Sequence, residues 1–275
     1  MKQKLLSFAF VILSLVLVSW GVTGHHAIGK IAENHLNPNA KAAVKDLLGN
    51  ESMADVSTWA DQIRMKPEFK YTTPWHYINL PLGLNYAEFK DRVEHMTEDN
   101  VYSATLKQEQ ILMDSSSSRD KKADALKYII HFVGDLHQPM HISRAEDQGG
   151  NTIKVDYDGK ETNLHSLWDT KLVEHQGLNY EDLAAKYDHI SDEKIKQWQA
   201  DPLIKWMWES YQISSILYKE VDEANGHQID ENYYEKHLPI VEVRIQQAGV
   251  RLAGVLNDIF KNAAGKGEMT SAIAQ

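Results

Sequence analysis

Two pairs of residues share one spacing. His131 is followed four residues later by Asp135, and His165 by Asp169. On a helix, side chains four apart project from the same face, so each pair offers an imidazole and a carboxylate to one point. His141 follows the first pair, just past Pro139, while His25, Asp61 and His76 lie upstream. The chain has 13 His and no Cys. A metal site built here has only imidazole and carboxylate to use, with no thiolate. Spacing alone leaves a second reading open. A single His-x-x-x-Asp pair is more often an exposed helix salt bridge, worth about 0.2–0.5 kcal/mol, and a lone His is more often a satisfied core or surface residue.

The elements that must position these residues read as mainly helical. Lys121–Gln138 carries Leu126, Ile129, Ile130, Val133 and Leu136 on one apolar face, holds His131 and Asp135, and is stopped by Pro139. Glu51–Met65 is predicted as a helix bearing Asp61 and Arg64, and Ala27–Leu36 as another just after His25. Pro202–Lys219 is a further helix. Pro239 is expected to open a long one, with Ile240, Val243, Ala248, Leu252, Leu256 and Ile259 in helical register to about Lys261. His76 falls in a loop-like stretch, Thr73–Asn79. After Gly149-Gly150-Asn151, the β-branched alternation of Thr152–Asp158 and the Asp158-Gly159 turn predict a small hairpin. The whole reads as about six to nine helices with one short β-ribbon. His137 lies six residues beyond His131, off its face, and is read either as a support behind the ligands or as structural.

The N-terminus is a basic Met-Lys-Gln-Lys followed by an apolar run, Leu5–Val18, broken only by Ser7 and Ser14. With the small residue Ser19, this predicts a secretory signal peptide over residues 1–19, cleaved before Trp20. The run is short for a bilayer span, so no membrane anchor is expected after cleavage. Residues 20–275 are then read as a single domain, because no Pro/Gly/Ser linker divides them and Ser115–Ser118 is only an inter-helix loop. A chain of that size buries enough core to do without disulfides even when exported, to periplasm or medium. The formal net charge is -10, and about -12 without Lys2 and Lys4. Proteins that coat duplex DNA are usually basic, so stable duplex binding is not expected. A nuclease whose positive charge is local and metallic remains compatible with this balance.

Six blocks carry a resemblance. They are Trp20-Gly-Val-Thr-Gly-His25, Ser57-Thr-Trp-Ala-Asp61-Gln-Ile-Arg64, Trp75-His76-Tyr77-Ile, His131-Phe-Val-Gly-Asp135-Leu-His-Gln-Pro-Met-His141, Gly149-Gly150-Asn151 and Asn163-Leu-His165-Ser-Leu-Trp-Asp169. Together, and in this order, they resemble the zinc-dependent single-strand nucleases of the mung bean nuclease type, which are related to zinc phospholipase C. The resemblance implies a mainly α, single-domain phospholipase C/nuclease-type fold and three zinc ions. One would be held by Asp61, His76, His131 and Asp135. A second would be held by His141, His165 and Asp169. A third would be held by His25, by Asp135 as a bridge, and by the amino nitrogen and carbonyl oxygen of Trp20. That amine exists only after cleavage at Ser19–Trp20.

The resemblance also implies hydrolysis of single-stranded DNA and RNA to 5′-phosphorylated products, with removal of 3′-phosphates from 3′-nucleotides. Water activated between two ions attacks phosphorus in line, with Asp61 and Asp135 as the carboxylates of the catalytic pocket. Arg64 stands where the family places a phosphate-holding cation, and its planar fork suits phosphoryl oxygens. Tyr77 matches an aromatic on which an unpaired base stacks. Asn79 replaces the Asp of fungal members in the base pocket and brings a donor as well as an acceptor. Fungal and plant members carry disulfides, so a chain with no Cys fits a bacterial-type member. A monomer is expected. Two other readings remain: a zinc phospholipase C, against which the short Trp20–His25 gap and the terminal Asp169 both speak, and a zinc-binding protein without turnover.

Overall fold

The computed structural model describes residues 20–223 and 228–261, so the signal peptide expected over residues 1–19 lies outside the described residues. Helices α1 (Gly21–Asn34), α2 (Pro38–Leu48), α3 (Met53–Val56) and α4 (Trp59–Arg64) lead into a 3-10 helix at Pro67–His76. Helices α5 (Tyr86–Glu94) and α6 (Val101–Met113) precede α7 (Arg119–His137). After a β-ribbon come α8 (Leu164–Ser166), a π-helical turn at Leu167–Lys171, and α9 (Leu172–Glu174). Helices α10 (Tyr180–Tyr187), α11 (Asp192–Gln199), α12 (Leu203–Glu223) and α13 (Glu231–Ile259) complete the described chain. The mainly α expectation holds. Segments of three to six residues raise the helix count above the one expected, because such pieces are too short to show a period.

Helix α7 is the axis of the molecule. Its 19 residues span ~28 Å. Every position from Tyr128 to His137 is buried, and α2, α6, α12 and α13 pack around it. A helix apolar on most sides belongs in a core. Ser118 caps its first turn by accepting from the Lys121 amide. At the other end, the His137 carbonyl would have no helical partner; it accepts from Arg244 Nε at 3.1 Å.

That arginine belongs to a buried polar network reaching in from α13. Arg251 is fully buried, with Nη2 on Asp201 Oδ2 at 2.8 Å and Nη1 on Glu209 Oε2 at 2.7 Å. Arg244 reaches the same Glu209 oxygen at 2.6 Å and Ser210 Oγ at 2.7 Å. His137 donates Nδ1–H to the Val133 carbonyl at 2.7 Å, which leaves Nε2 to accept from Arg251 at 3.0 Å. Burial, then the two arginines, holds the His137 pKa well below its ordinary value, so the ring stays neutral and can accept. The structural reading of His137 is therefore correct.

Three expectations change. The single helix over Glu51–Met65 is broken at Ser57–Thr58 into α3 and α4, where Ser57 Oγ donates to the Ala54 carbonyl. Pro239 lies inside α13 and does not open it. The helix begins eight residues earlier at Glu231, capped by Asp230, and Pro239 is exposed, so the carbonyl it cannot serve faces solvent. The hairpin is found as β3 (Lys154–Tyr157) and β4 (Lys160–Asn163), closed by Asp158 and Gly159 with φ of 56° and 73°. The single ribbon becomes two small sheets, because β5 (Gln228–Ile229) adds parallel to β3, and β1 (Ile78–Asn79) pairs parallel with β2 (Ile142–Ser143). Two-residue strands leave no alternation to read. The β1–β2 pair brings two distant histidines together, since it lays the chain after His76 beside the chain after His141.

Replacing Arg251 by Ala leaves Asp201 without its buried guanidinium and Glu209 with Arg244 alone. Arg251→Ala is expected to lose about 3–5 kcal/mol of unfolding free energy, read as a lowered midpoint in a urea titration.

Candidate metal centre and the cavity beside it

Five histidines and three aspartates converge beside the C-terminal half of α7. His131 and Asp135 come from α7, His25 from α1, Asp61 from α4, His76 from the end of the 3-10 helix, and His141 from the turn after Pro139. His165 lies on α8, and Asp169 on the π-helical turn, a rare widened turn of the kind that often marks functional positions. All eight are buried, and every one is at most 7% exposed.

Their donor atoms form three groups with mutual distances under 4.8 Å: His25, His131 and Asp135; Asp61, His76 and His131; and His141, His165 and Asp169. Asp135 reaches beyond its own group. Its Oδ2 lies 3.1 Å from His76 Nδ1 and 3.2 Å from His131 Nε2, while its Oδ1 faces His25 Nε2 at 3.5 Å. Asp61 Oδ1 is 3.6 Å from both His76 Nδ1 and His131 Nε2. His165 Nε2 lies 3.1 Å from Asp169 Oδ2, and His141 Nε2 3.6 Å from Asp169 Oδ1.

Three rings are held by backbone carbonyls. His131 Nδ1 donates to Ser57 O at 2.7 Å, His141 Nδ1 to His76 O at 2.6 Å, and His165 Nδ1 to Gly149 O at 2.8 Å. A carbonyl only accepts, so the proton sits on Nδ1 and the Nε2 lone pair faces the cluster. This is the usual way a metal-ligating imidazole is oriented.

The centre is short of partners. Among the described residues, eight buried side-chain N or O atoms make no hydrogen bond, and seven of them belong to this cluster: both nitrogens of His25, both oxygens of Asp61, His76 Nε2, Asp135 Oδ1 and His141 Nε2. Arg64 Nη2 approaches Asp61 Oδ1 to 2.7 Å, as an ion pair without hydrogen-bond alignment. One unsatisfied buried polar atom costs about 1–3 kcal/mol. Seven in one place is not a stable arrangement of protein atoms alone, and divalent cations would satisfy the carboxylate oxygens and one nitrogen of each ring that faces them. The donor set therefore fits metal ions.

The electrostatics agree. Burial opposes charge on Asp135 and Asp169, yet His131 and His141 around the first, and His165 and His141 around the second, keep both pKa values below the ordinary carboxylate range. Burial also opposes charge on His141, but Asp135 and Asp169 outweigh it and raise its pKa to about 9. His131 is raised for the same reason by Asp135 and Asp61. Burial wins at His76, pushed down to about 4, and at His25, which is also lowered. Where carboxylates pull a proton onto a histidine, they pull equally on a metal cation that can replace it.

Trp20 is fully buried at the edge of this cluster. Its backbone N–H donates to Asp169 Oδ1 at 3.2 Å, its indole N–H to the Gly134 carbonyl at 2.8 Å, and its own carbonyl accepts from the Gly24 amide at 3.1 Å. Arg64, Tyr77, Asn79, His141 and His165 line one cavity of about 240 Å³, so the three expected substrate residues open onto the metal centre. All nine expected ligands and all three expected substrate residues are thus brought to one place.

Three contributors carry no signal in the sequence that singles them out. Gln138, fully buried, donates through Nε2 to Asp169 Oδ1 and accepts from the Met140 amide, fixing the turn that presents His141. Asp147 accepts from the Gly150 amide at 2.6 Å and from Tyr218 Oη at 2.9 Å, and so holds the loop whose Gly149 carbonyl orients His165. Only its neighbourhood to Gly149-Gly150 hints at this. Asn151 lines the cavity with a buried, unpartnered Oδ1.

Gly134 tests the packing directly. A Cβ there would lie 2.6 Å from His25 Cε1 and 2.7 Å from Nδ1, with the His25 ring stacked on His131 at 4.2 Å between centroids. Ala inside a helix should otherwise add about 1 kcal/mol of propensity. Gly134→Ala is expected to retain its helical circular dichroism but to lose at least one bound divalent ion per chain after dialysis, measured by elemental analysis.

Comparison with known proteins gives a consistent picture. The family described as S1/P1 Nuclease matches residues 20–261. Endonuclease 2 of Arabidopsis thaliana is 34% identical over 270 residues, covering 88% of this chain and 90% of the relative. Nuclease S1 of Aspergillus oryzae is 31% identical over 281 residues, covering 92% and 96%. Nuclease P1 of Penicillium citrinum is 28% identical over 280 residues, covering 90% of this chain and all of the relative. With the match running from the buried Trp20 to the end of α13, the chain belongs to the S1/P1 nuclease family.

Proposed function

We propose that residues 20–275 form one catalytic domain that holds three zinc ions and hydrolyses single-stranded DNA and RNA to 5′-phosphorylated products, and that it also removes the phosphate of 3′-nucleotides. The observation that carries this reading is one buried His/Asp cluster with seven unsatisfied polar atoms, opening on a cavity that also holds Arg64. Zinc suits imidazole and carboxylate donors and tolerates an open position. Asp61, His76, His131 and Asp135 would hold one ion, His141, His165 and Asp169 a second, and His25, Asp135 and Trp20 a third. When bound, zinc supplies Lewis acidity, which makes water a nucleophile near neutral pH and offsets charge on a departing oxygen.

The chain's own residues do the rest. Arg64, 7% exposed and 2.7 Å from Asp61, is oriented by that carboxylate and presents its fork to a phosphoryl oxygen. Tyr77, half-buried on the cavity wall, offers a ring face to a base. A base must leave its partner to reach that ring, which is a physical reason for single-strand preference. The Asn79 amide and the unpartnered Asn151 Oδ1 give the base or sugar one NH2 group and two acceptor oxygens. Gln138 and the carbonyls of Ser57, His76 and Gly149 keep ligands in place through the reaction.

We read residues 1–19 as a secretory signal and the protein as an exported monomer, in periplasm or medium, with no stable hold on duplex DNA. Among the described residues no helix is long and apolar enough to cross a membrane.

The test uses protein beginning at Trp20, assayed on single-stranded DNA, RNA, a 3′-nucleotide and phosphatidylcholine, with and without chelator. Chelator-sensitive release of 5′-phosphorylated products and of inorganic phosphate is expected, with lipid untouched. Intact nucleic acid from zinc-loaded protein would overturn the reading in favour of a non-catalytic zinc protein. Lipid cleavage would overturn it in favour of a phospholipase.

A further inference from the structure

The segment between Arg64 and Thr73 leaves the cavity and returns to it, since both ends line its wall. What lies between is exposed, at Met65, Lys66, Glu68, Lys70 and Tyr71. Met65 and Tyr71 are 58% and 61% exposed, the two highest values among the exposed large hydrophobic side chains of the described residues. An exposed aromatic and methionine on the rim of a site call for an explanation that scattered surface residues do not.

Tyr71 is presented rather than loose. Its ring stands edge-on to Trp75 at 5.5 Å and 80°, and Trp75 is itself buried and anchored through Nε1 to Asp99 Oδ2 at 3.1 Å. Tyr71 precedes Thr73 by two residues of 3-10 helix, about 4 Å along the axis at about 2 Å per residue. That is within the span of one or two nucleotides, given about 3.4 Å per nucleotide along a stacked strand. Cations lie on the same segment. Lys66 and Lys70 are exposed, and among the described residues neither ammonium pairs with a carboxylate. Lys107 of α6 lies 5.6 Å above the Trp75 ring. Glu68 is the one carboxylate within the exposed strip. In a chain of net charge -10, the strip carries two lysines against one carboxylate, with an exposed aromatic at its end.

We infer that Tyr71, with Lys66 and Lys70, is a second nucleotide subsite, which holds the single strand beyond the nucleotide in the cavity. Tyr71 stacks on a flanking base and the lysines meet flanking phosphates. This rests on the nuclease reading, but it concerns only how a chain longer than one nucleotide is held. Stacking on an aromatic is sequence-tolerant, so the subsite adds length preference rather than base preference.

The experiment compares wild type, Tyr71→Ala, Tyr71→Trp and Lys66→Ala/Lys70→Ala as zinc-loaded proteins. Steady-state kinetics are taken on a long oligothymidylate and on 3′-thymidylate, and anisotropy reports binding of a fluorescent phosphorothioate oligothymidylate. Tyr71→Ala is expected to raise KM for the oligomer, and its Kd, at least about fivefold, the low end of a stacking contribution. It should leave kcat and KM for 3′-thymidylate unchanged, and Tyr71→Trp should restore oligomer binding. The double lysine variant should flatten the slope of log KM for the oligomer against log salt by about 1.4, at about 0.7 per phosphate for single strands. Unchanged oligomer KM and Kd would overturn the inference, as would an equal loss on 3′-thymidylate, which would mean a distorted cavity. Wild type that binds the oligomer through Tyr71 yet hydrolyses nothing would sink the nuclease reading and leave the subsite standing.

Discussion

Three carboxylates and five imidazoles occupy one buried volume, and too few protein donors are present to satisfy them. Placing ionised Asp135 and Asp169 at the end of a core helix is unfavourable in a low-dielectric interior unless opposite charge lies close by. The described residues supply only part of it: Arg64 at the edge, and protons that Asp135 and Asp169 draw onto His141. Divalent cations would complete the balance. Folding around such a centre couples metal affinity to stability, because a site with this many unsatisfied donors is much less stable without its ions.

The rest of the molecule can be read as the support needed to hold that volume still. Carbonyls inside a regular helix are mostly engaged along its own axis. The carbonyls that orient His131, His141 and His165 come from places where regular structure gives way: the break between α3 and α4 at Ser57, the end of the 3-10 helix at His76, and the Gly149 loop. Asp169 sits on a π-helical turn for a related reason. That turn lets Asp169 Oδ1 take hydrogen bonds from both Trp20 N and Gln138 Nε2 while Oδ2 faces His165. Rigid support arrives from α13, whose Arg244 and Arg251 fasten the last turn of α7 two residues past Asp135.

Legibility in the sequence divides along the same line. The paired spacings of His131 with Asp135 and His165 with Asp169, the absence of Cys and the apolar face of α7 are all local patterns, and each survives folding. The family blocks contain every expected ligand, and Arg64 and Tyr77 with them. Contributors that act through space are hidden. Gln138 lies within one of those blocks, yet nothing local tells that its amide turns to a carboxylate 31 residues away. Asp147 looks like any loop acid until Tyr218, 71 residues on, is seen against it. The break at Ser57 is invisible because Glu51–Met65 keeps helical composition throughout, and a backbone hydrogen bond to a distant histidine leaves no trace in a period. Pro239 misleads for the opposite reason. As a start signal it is valid, but an exposed proline can also sit in a helix that is held by packing on its other face.

The acidity of the chain finally has to be reconciled with a polyanionic substrate. At physiological ionic strength, charges on exposed surfaces are screened beyond about 8 Å. A net charge of -10 spread over the surface therefore has little hold on a phosphate already at the cavity, where the nearest charges decide. There Arg64 lies on the wall, and Lys66 and Lys70 stand on the exposed rim segment beyond it. The cluster behind them is negative by itself, so bound cations would reverse its sign at the place where a phosphoryl group must approach. A globally basic surface would add grip on duplex DNA without adding anything at the reacting bond. Confining positive charge to bound cations, one arginine and a short rim would instead favour a strand that can splay a base onto an aromatic and bend a phosphate inward. That demand would select flexible single strands over a stacked, stiff duplex, and it would arise from where the charge lies rather than from how much of it there is.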